Sequence, residues 1–241
     1  MTVKPYEKNE SKKKQVKTMF DRIVFRYDLL NHVLSFGIDK RWRKKTVSLV
    51  DRNNPASILD LATGTGDMAF MLSRKIPGAI IHGADLSPEM LAIAKEKALK
   101  KDLDSHLTFE EADGENLPYE DNTFDAVTIA FGIRNFEDIP KGLEQIYRVL
   151  RSGGRYYILE FSMPGNTIIN KLYTFYFRKF LPYIGGLVSG DRKAYRYLQE
   201  SVENFPYGER FVRILSDTGF KENKMINLTF GLVKIYTGIK K

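Results

Sequence analysis

Three carboxylates and one glycine-rich turn carry the clearest chemical signal in this sequence. The run Ile58-Leu59-Asp60-Leu61-Ala62-Thr63-Gly64-Thr65-Gly66-Asp67 reads as an apolar strand, a tight turn and a helix start. Glycine tolerates positive φ and lets a ligand approach the backbone closely. Such a turn after the first strand of an open parallel sheet is where nucleotides bind. Gly-x-Gly by itself also serves ordinary strand-to-helix turns. Asp85 supplies the second part. It ends the next apolar run, 19 residues beyond Gly66, where a carboxylate accepts ribose hydroxyl protons. A nicotinamide dinucleotide and S-adenosylmethionine share these contacts. The dinucleotide needs its pyrophosphate against the helix N-terminus, and Asp67 there would repel it. Asp60 suits the cationic amino-acid end of S-adenosylmethionine, directly or through water. Glu111-Ala112-Asp113-Gly114 follows a third apolar run. Asp113 suits the adenine amino group, and the Gly114 amide suits a ring nitrogen. Carboxylates at three successive strand ends favour S-adenosylmethionine, held by Asp60, Gly64, Gly66, Asp85, Asp113 and Gly114.

The elements that must position these groups are legible from periodicity. Apolar residues Val16, Met19, Phe20, Ile23, Val24 and Tyr27 recur at helical spacing. Residues 28–45 break that period and end in a basic cluster, and residues 1–14 read as a frayed, Lys-rich start. From residue 57 short apolar runs alternate with helical stretches. Strands are predicted over 57–62, 79–84, 107–110, 125–130 and 155–160, and helices over 67–75, 88–101 and 139–150. Ser87 and Pro88 form a strong helix start. This alternation implies parallel strands joined by helical crossovers. Residues 166–180 are apolar, aromatic and basic, and read as an inserted helix followed by a loop over 181–190. A helix over 209–217 and strands over 220–228 and 233–239 complete the chain.

The 241 residues carry 38 Lys plus Arg against 30 Asp plus Glu, a net charge of +8. That balance favours anionic partners such as a lipid surface or nucleic acid. With 43% hydrophobic and 28% charged residues, the composition excludes wholesale disorder. Cysteine is absent, which excludes disulfides, thiolate metal sites and a cysteine nucleophile. His32, His82 and His106 are scattered, so no metal is expected. No apolar run approaches the ~18 residues that span a bilayer, and the charged opening residues do not read as a signal peptide. A soluble, cytoplasmic protein is expected.

With those residues in view, nearly the whole chain resembles the menaquinone/ubiquinone biosynthesis C-methyltransferases. The resemblance rests on Tyr27-Asp28-Leu29-Leu30-Asn31, Ser35-Phe36-Gly37-Ile38 and Arg41-Trp42-Arg43. It extends through 59–67, Ala84-Asp85-Leu86-Ser87, Leu117-Pro118-Tyr119 and Asp121-Asn122-Thr123-Phe124-Asp125. Phe131-Gly132-Ile133-Arg134-Asn135, residues 147–154 and Leu159-Glu160-Phe161-Ser162 complete it. It implies an α/β, class I S-adenosylmethionine-dependent methyltransferase fold, a Rossmann-like seven-stranded sheet with flanking helices. It adds Thr65 to the cofactor contacts. It also implies C-methylation of a polyprenylated quinol, converting demethylmenaquinol to menaquinol, with a benzoquinol of ubiquinone synthesis as the alternative. Three positions depart from the family pattern. Ala62 stands where many methyltransferases have glycine, Ala130 where some members have Ser, and Asp39 where some have His.

A ring carbon beside a hydroxyl becomes nucleophilic when the hydroxyl loses its proton, so the quinol is the expected acceptor. Arg134 is expected to stabilise the developing phenolate, with Asn135 orienting the same oxygen and Tyr27 closing over the ring. For Arg134 the structural alternative is an ion pair with Glu137 or Asp138. For Tyr27 it is simple continuation of the apolar stripe. Ile168, Leu172, Phe175, Tyr176 and Lys179 are expected to line the entrance for the prenyl tail, with Lys171, Arg178 and Lys179 meeting lipid phosphates. One domain is expected over 1–241, with a helical cap at 1–50, a cofactor-binding core at 55–161, a substrate- and membrane-facing segment at 162–205 and a C-terminal helix and strands at 206–241. The expected partners are the prenylated quinol and the inner membrane surface. Nucleic acid is not expected, and a homo-oligomer stays open. A methyltransferase acting on RNA or another small nucleophile is the competing activity, and a cofactor-binding protein without chemistry is a further one.

Overall fold

The computed structural model describes residues 3–6, 9–35, 37–101, 103, 106–165 and 192–241, with backbone alone for 25–34, 192 and 195. Two helices open the chain, α1 (Lys12–Leu34) and α2 (Asp39–Asp51). The alternating region follows as β1 (Ser57–Leu61), α3 (Asp67–Lys75), β2 (Ile80–Asp85), α4 (Pro88–Leu99), β3 (Leu107–Glu111), β4 (Phe124–Ala130), α5 (Ile139–Val149) and β5 (Leu150–Phe161). The described chain resumes with α6 (Arg192–Asn204), α7 (Glu209–Asp217), β6 (Lys221–Leu228) and β7 (Val233–Ile239).

The seven strands form one sheet in the order β3-β2-β1-β4-β5-β7-β6. Strands β1 to β5 are parallel, and β7 inserts antiparallel between β5 and β6. The chain moves outward from β1 to β3 and returns to β4 on the other side of β1. That reversal opens a crevice beyond the carboxyl ends of β1 and β4, the usual ligand position in such sheets.

Side chains alternate across the sheet and build two cores. Ile58, Ala126, Tyr157 and Leu159 pack with α2, α3 and α4. Leu59, Leu61, Val127, Ile129 and Ile158 pack with α5 and α7. A smaller cluster joins Val16, Met19 and Ile23 of α1 to Ala194 and Tyr197 of α6. Helix starts follow local chemistry. Ser87 Oγ accepts from the Met90 amide at 3.1 Å, with Pro88 in the first turn. Asp138 accepts from the Lys141 amide at 3.0 Å to start α5.

The N-terminal region departs from expectation. Residues 12–14 do not fray but form the first turn of α1, which continues through residue 34. No Gly or Pro interrupts residues 28–34, and the break comes at Gly37, with φ +71°. Helix α2 was hidden in the basic cluster. Its buried positions Asp39, Trp42, Arg43, Thr46, Val47 and Val50 have helical spacing, but half are polar, which dilutes the apolar signal. Strand β5 starts five residues earlier than expected, at Leu150. The inserted helix and loop expected over 166–190, including Ile168, Lys171, Leu172, Phe175, Tyr176, Arg178 and Lys179, lie outside the described residues. Among the described residues no helix is long and apolar enough to cross a membrane.

Candidate active site

The loop after β1 is clamped from below and behind. Asp60 is 1% exposed. One of its oxygens accepts from Thr63 Oγ1 and the other from Thr128 Oγ1, each at 2.6 Å. Burial raises its pKa to about 6 against the pull of those hydroxyls and of Arg43. The Thr63 amide donates to the Ala84 carbonyl of β2 at 3.1 Å, and the Gly66 amide closes the turn onto Thr63 O at 3.0 Å. Gly66 holds φ +87° at the start of α3, and a Cβ there would lie 2.7 Å from the Phe70 ring. Ala62 itself takes φ +55°, so a small L-residue adopts the glycine-like conformation at some cost. Its methyl group leaves room only for hydrogen opposite, since a Cβ on Gly132 would sit 2.5 Å from it.

Above this turn lies a cleft of about 740 Å³, open to solvent. Gly64, Asp85, Asp113, Gly114 and Asn135 line it, with Ala62, Ala130 and Phe131. Asp85 is fixed by two backbone donors: Oδ2 accepts from Gly64 N at 2.8 Å and Oδ1 from Ser87 N at 3.0 Å. Burial raises its pKa, opposed by the amides of Ser87, Gly64 and Leu86. Asp113 Oδ1 accepts from the Glu115 amide at 2.9 Å, while Oδ2 meets Lys13 Nζ at 2.7 Å. Gly114 lies flat against Phe136; an added Cβ would be 2.5 Å from its Cζ.

The cleft therefore joins five of the expected residues. Asp60, Thr65, Gly66 and Arg134 do not line it. Thr65 is buried, and its carbonyl accepts from Lys97 at 3.2 Å. Tyr27 lies on α1, and its side chain is outside the described set.

Arg134 follows β4 in a short helical turn, Ile133–Asn135. Its guanidinium is buried. Nη1 donates to Glu160 at 2.6 Å and to the Phe131 carbonyl at 2.6 Å, and the group stacks 5.4 Å above the Phe161 ring. Neither Glu137 nor Asp138 pairs with it: Glu137 accepts from the Lys12 amide, and Asp138 caps α5. Burial raises the Glu160 pKa, and Arg134 opposes the rise. Arg134 Nε is buried without a hydrogen-bond partner among the described residues. Asn135 Oδ1 accepts from Tyr197 of α6 at 3.2 Å. Asp39, in place of a family histidine, is buried between Ser35 at 2.7 Å and Arg43 at 2.5 Å, and Arg43 stacks on Phe131.

The first turns of α1 form a part of the site that sequence reasoning missed. Val16 and Phe20 line the cleft beside Lys13 and Lys17. Lys17 pairs with Glu111 at 2.5 Å, and Asp21 accepts from Ser87 Oγ at 2.5 Å. Lys12 Nζ donates to the carbonyls of Arg134 and Phe136, and burial lowers its pKa to about 8. Burial works against the Lys13 ammonium, yet hydrogen bonds to Asp113 and Glu115 raise its pKa. Nothing local in residues 12–21 foretells these contacts, because every partner is more than 60 residues away.

Sheet order, switch-point cleft and acidic strand ends together define a class I methyltransferase fold, with S-adenosylmethionine as donor. The known proteins agree. The model of the ubiE/COQ5 methyltransferase family matches residues 8–240. A demethylmenaquinone methyltransferase of Thermus thermophilus is 50% identical over 91% of this chain and 99% of its own. A ubiquinone/menaquinone biosynthesis C-methyltransferase UbiE of Geobacter sulfurreducens is 44% identical over 95% of this chain and 90% of its own. A crystal structure of a SAM-dependent methyltransferase from Thermotoga maritima superposes with a TM-score of 0.66 at 18% identity, covering 93% and 99% of the two chains. The chain belongs to the ubiE/COQ5 methyltransferase family.

Proposed function

We propose that the protein methylates a ring carbon of a polyprenylated quinol, converting demethylmenaquinol to menaquinol. The observation that carries this reading is the 50% identity, nearly end to end, with a demethylmenaquinone methyltransferase. The chemistry of the cleft lining suits the donor. Asp85 would accept from ribose hydroxyls and Asp113 from the adenine amino group, with the Gly114 amide donating to a ring nitrogen. Gly64 supplies a side-chain-free wall. When bound, S-adenosylmethionine supplies a methyl group on a positively charged sulfur.

The remaining task of the protein is to align the acceptor and strengthen its nucleophilic carbon. Alignment can contribute ~7–11 kcal/mol. Arg134 and Asn135 lie at the same sheet edge, where a fixed cation favours a developing phenolate. Glu160 holds the guanidinium in one orientation, so no reorganisation is needed as charge appears. Tyr27 completes the assignment as a residue over the acceptor ring. Asp60, Thr65 and Gly66 act from beneath by fixing the loop. The polyprenyl chain of the acceptor puts the working position at the inner membrane surface. A benzoquinol acceptor is the second reading, favoured by the 44% identity to a ubiquinone/menaquinone enzyme.

The test is methyl transfer from labelled S-adenosylmethionine under reducing conditions. Short-tailed demethylmenaquinol and the demethylated benzoquinol are offered in parallel. Transfer to the naphthoquinol alone is expected. Transfer to both makes the enzyme dual in role, and transfer to neither overturns the proposal.

A further inference from the structure

Three large apolar side chains are exposed among the described residues: Ile80, Leu99 and Phe230. Ile80 starts β2 and Leu99 ends α4, so both lie at the sheet edge opposite the cleft. Phe230 is different. It sits in the turn between β6 and β7, and β7 begins at Val233, paired with Phe161 at the carboxyl end of β5. That is the edge carrying the cofactor cleft.

Phe230 is 79% exposed and held there by strained backbone. Thr229 and Phe230 have φ +42° and +56°, followed by Gly231 at +87°. Left-handed conformations are unfavourable for residues with a Cβ, and an exposed Phe gains no burial in return. The turn is nonetheless tied down. Trp42 Nε1 donates to Thr229 Oγ1 at 2.8 Å, and Ser162 Oγ donates to the Gly231 carbonyl. The first of these bonds joins the turn to α2. In the first two turns of α2, Lys40, Arg41, Lys44 and Lys45 are all exposed. None of the four pairs with a carboxylate among the described residues.

We infer that the Phe230 turn and the basic opening of α2 form a docking edge for an anionic bilayer surface. A projecting aromatic ring on a turn tied to a helix that carries four exposed cations matches the chemistry of a lipid interface, apolar below and phosphate above. The edge is shared with the cleft, so docking presents the crevice to a lipid-embedded acceptor. That purpose rests on the proposed acceptor, whereas the docking itself does not.

The test is flotation of the full chain with vesicles of phosphatidylglycerol and phosphatidylcholine, and with phosphatidylcholine alone. The protein is expected to float with the anionic vesicles, and less so as salt rises. Phe230→Asn places a residue that tolerates left-handed φ in the turn, so it keeps its melting temperature and loses about tenfold in partitioning. Changing Lys40, Arg41, Lys44 and Lys45 together to Gln loses at least about tenfold, since each cation near such a surface contributes roughly fivefold. Both variants keep wild-type transfer to a short-tailed acceptor in solution and lose transfer to a long-tailed one in vesicles. Wild-type protein that ignores anionic vesicles overturns the inference, as do variants that float like wild type. A lipid-free dimer dissociated by Phe230→Asn also overturns it, making this edge a contact between copies. Wild-type flotation without transfer to any quinol sinks the acceptor reading and leaves the docking edge standing.

Discussion

Lys13 and Asp113, one hundred residues apart in sequence, meet at 2.7 Å across the mouth of the cofactor cleft. The ammonium takes one carboxylate oxygen while the Glu115 amide takes the other. Asp113 is thereby held in one rotamer where the donor's adenine is proposed to sit. Helix α1 in this way lines the cleft and is more than a cap over it.

Replacing Lys13 by Met is expected to weaken S-adenosylmethionine binding by up to about fivefold, the scale of a partly exposed ion pair. Turnover at saturating donor changes little. Titration calorimetry on the variant checks this, and an unchanged dissociation constant removes Lys13 from the site.

Arg134 and Glu160 form a buried pair, and breaking such a pair costs about 3–5 kcal/mol. Arg134→Ala is expected to lower the melting temperature and to lower turnover much more than donor affinity. The double change Arg134→Met with Glu160→Leu removes both charges and restores much of the stability. If turnover returns along with stability, Arg134 is structural and the phenolate role fails.

Gly114→Ala drives a methyl group into the Phe136 ring, which also lies against Gly142. Overpacking of this kind costs about 1–3 kcal/mol, and it displaces the backbone beside Asp113. Donor affinity is expected to fall at least about tenfold. Adding Phe136→Leu makes room and restores most of it, a coupling that a double-mutant cycle on the dissociation constant measures.

Asp60 gives the fold a pH signature. Its folded pKa, about 6, lies above the ordinary carboxylate value of 3.8. Between these limits the folded state holds a proton that the unfolded chain has released. This contribution to stability is full below the lower value and is lost as pH rises through the upper one, roughly 3 kcal/mol in all. Asp60→Asn cannot titrate, so its unfolding free energy changes less than that of wild type between pH 4 and 7. Urea denaturation at stepped pH reads the difference, and parallel curves contradict the assignment.

What the sequence determined was mostly local or periodic. Strand–helix alternation, the Ser87 cap and the Gly64–Gly66 turn depend on neighbours in the chain. Asp85 and Asp113 were legible as crevice residues for a related reason. Parallel strands bring every carboxyl end to one edge, so position at a strand end already implies position in the crevice. Pairings decided by packing were not legible. Arg134 finds Glu160 and not its sequence neighbours Glu137 or Asp138, because β4 and β5 run in register with Ala130 opposite Leu159. Asp60 lies on a strand face buried beneath Thr63 and Thr128, so it braces the loop and does not line the cleft. Helix α2 hid its burial behind polar residues. Lys13 gave no local sign at all, since only the closure of α1 over the sheet brings its charge to Asp113.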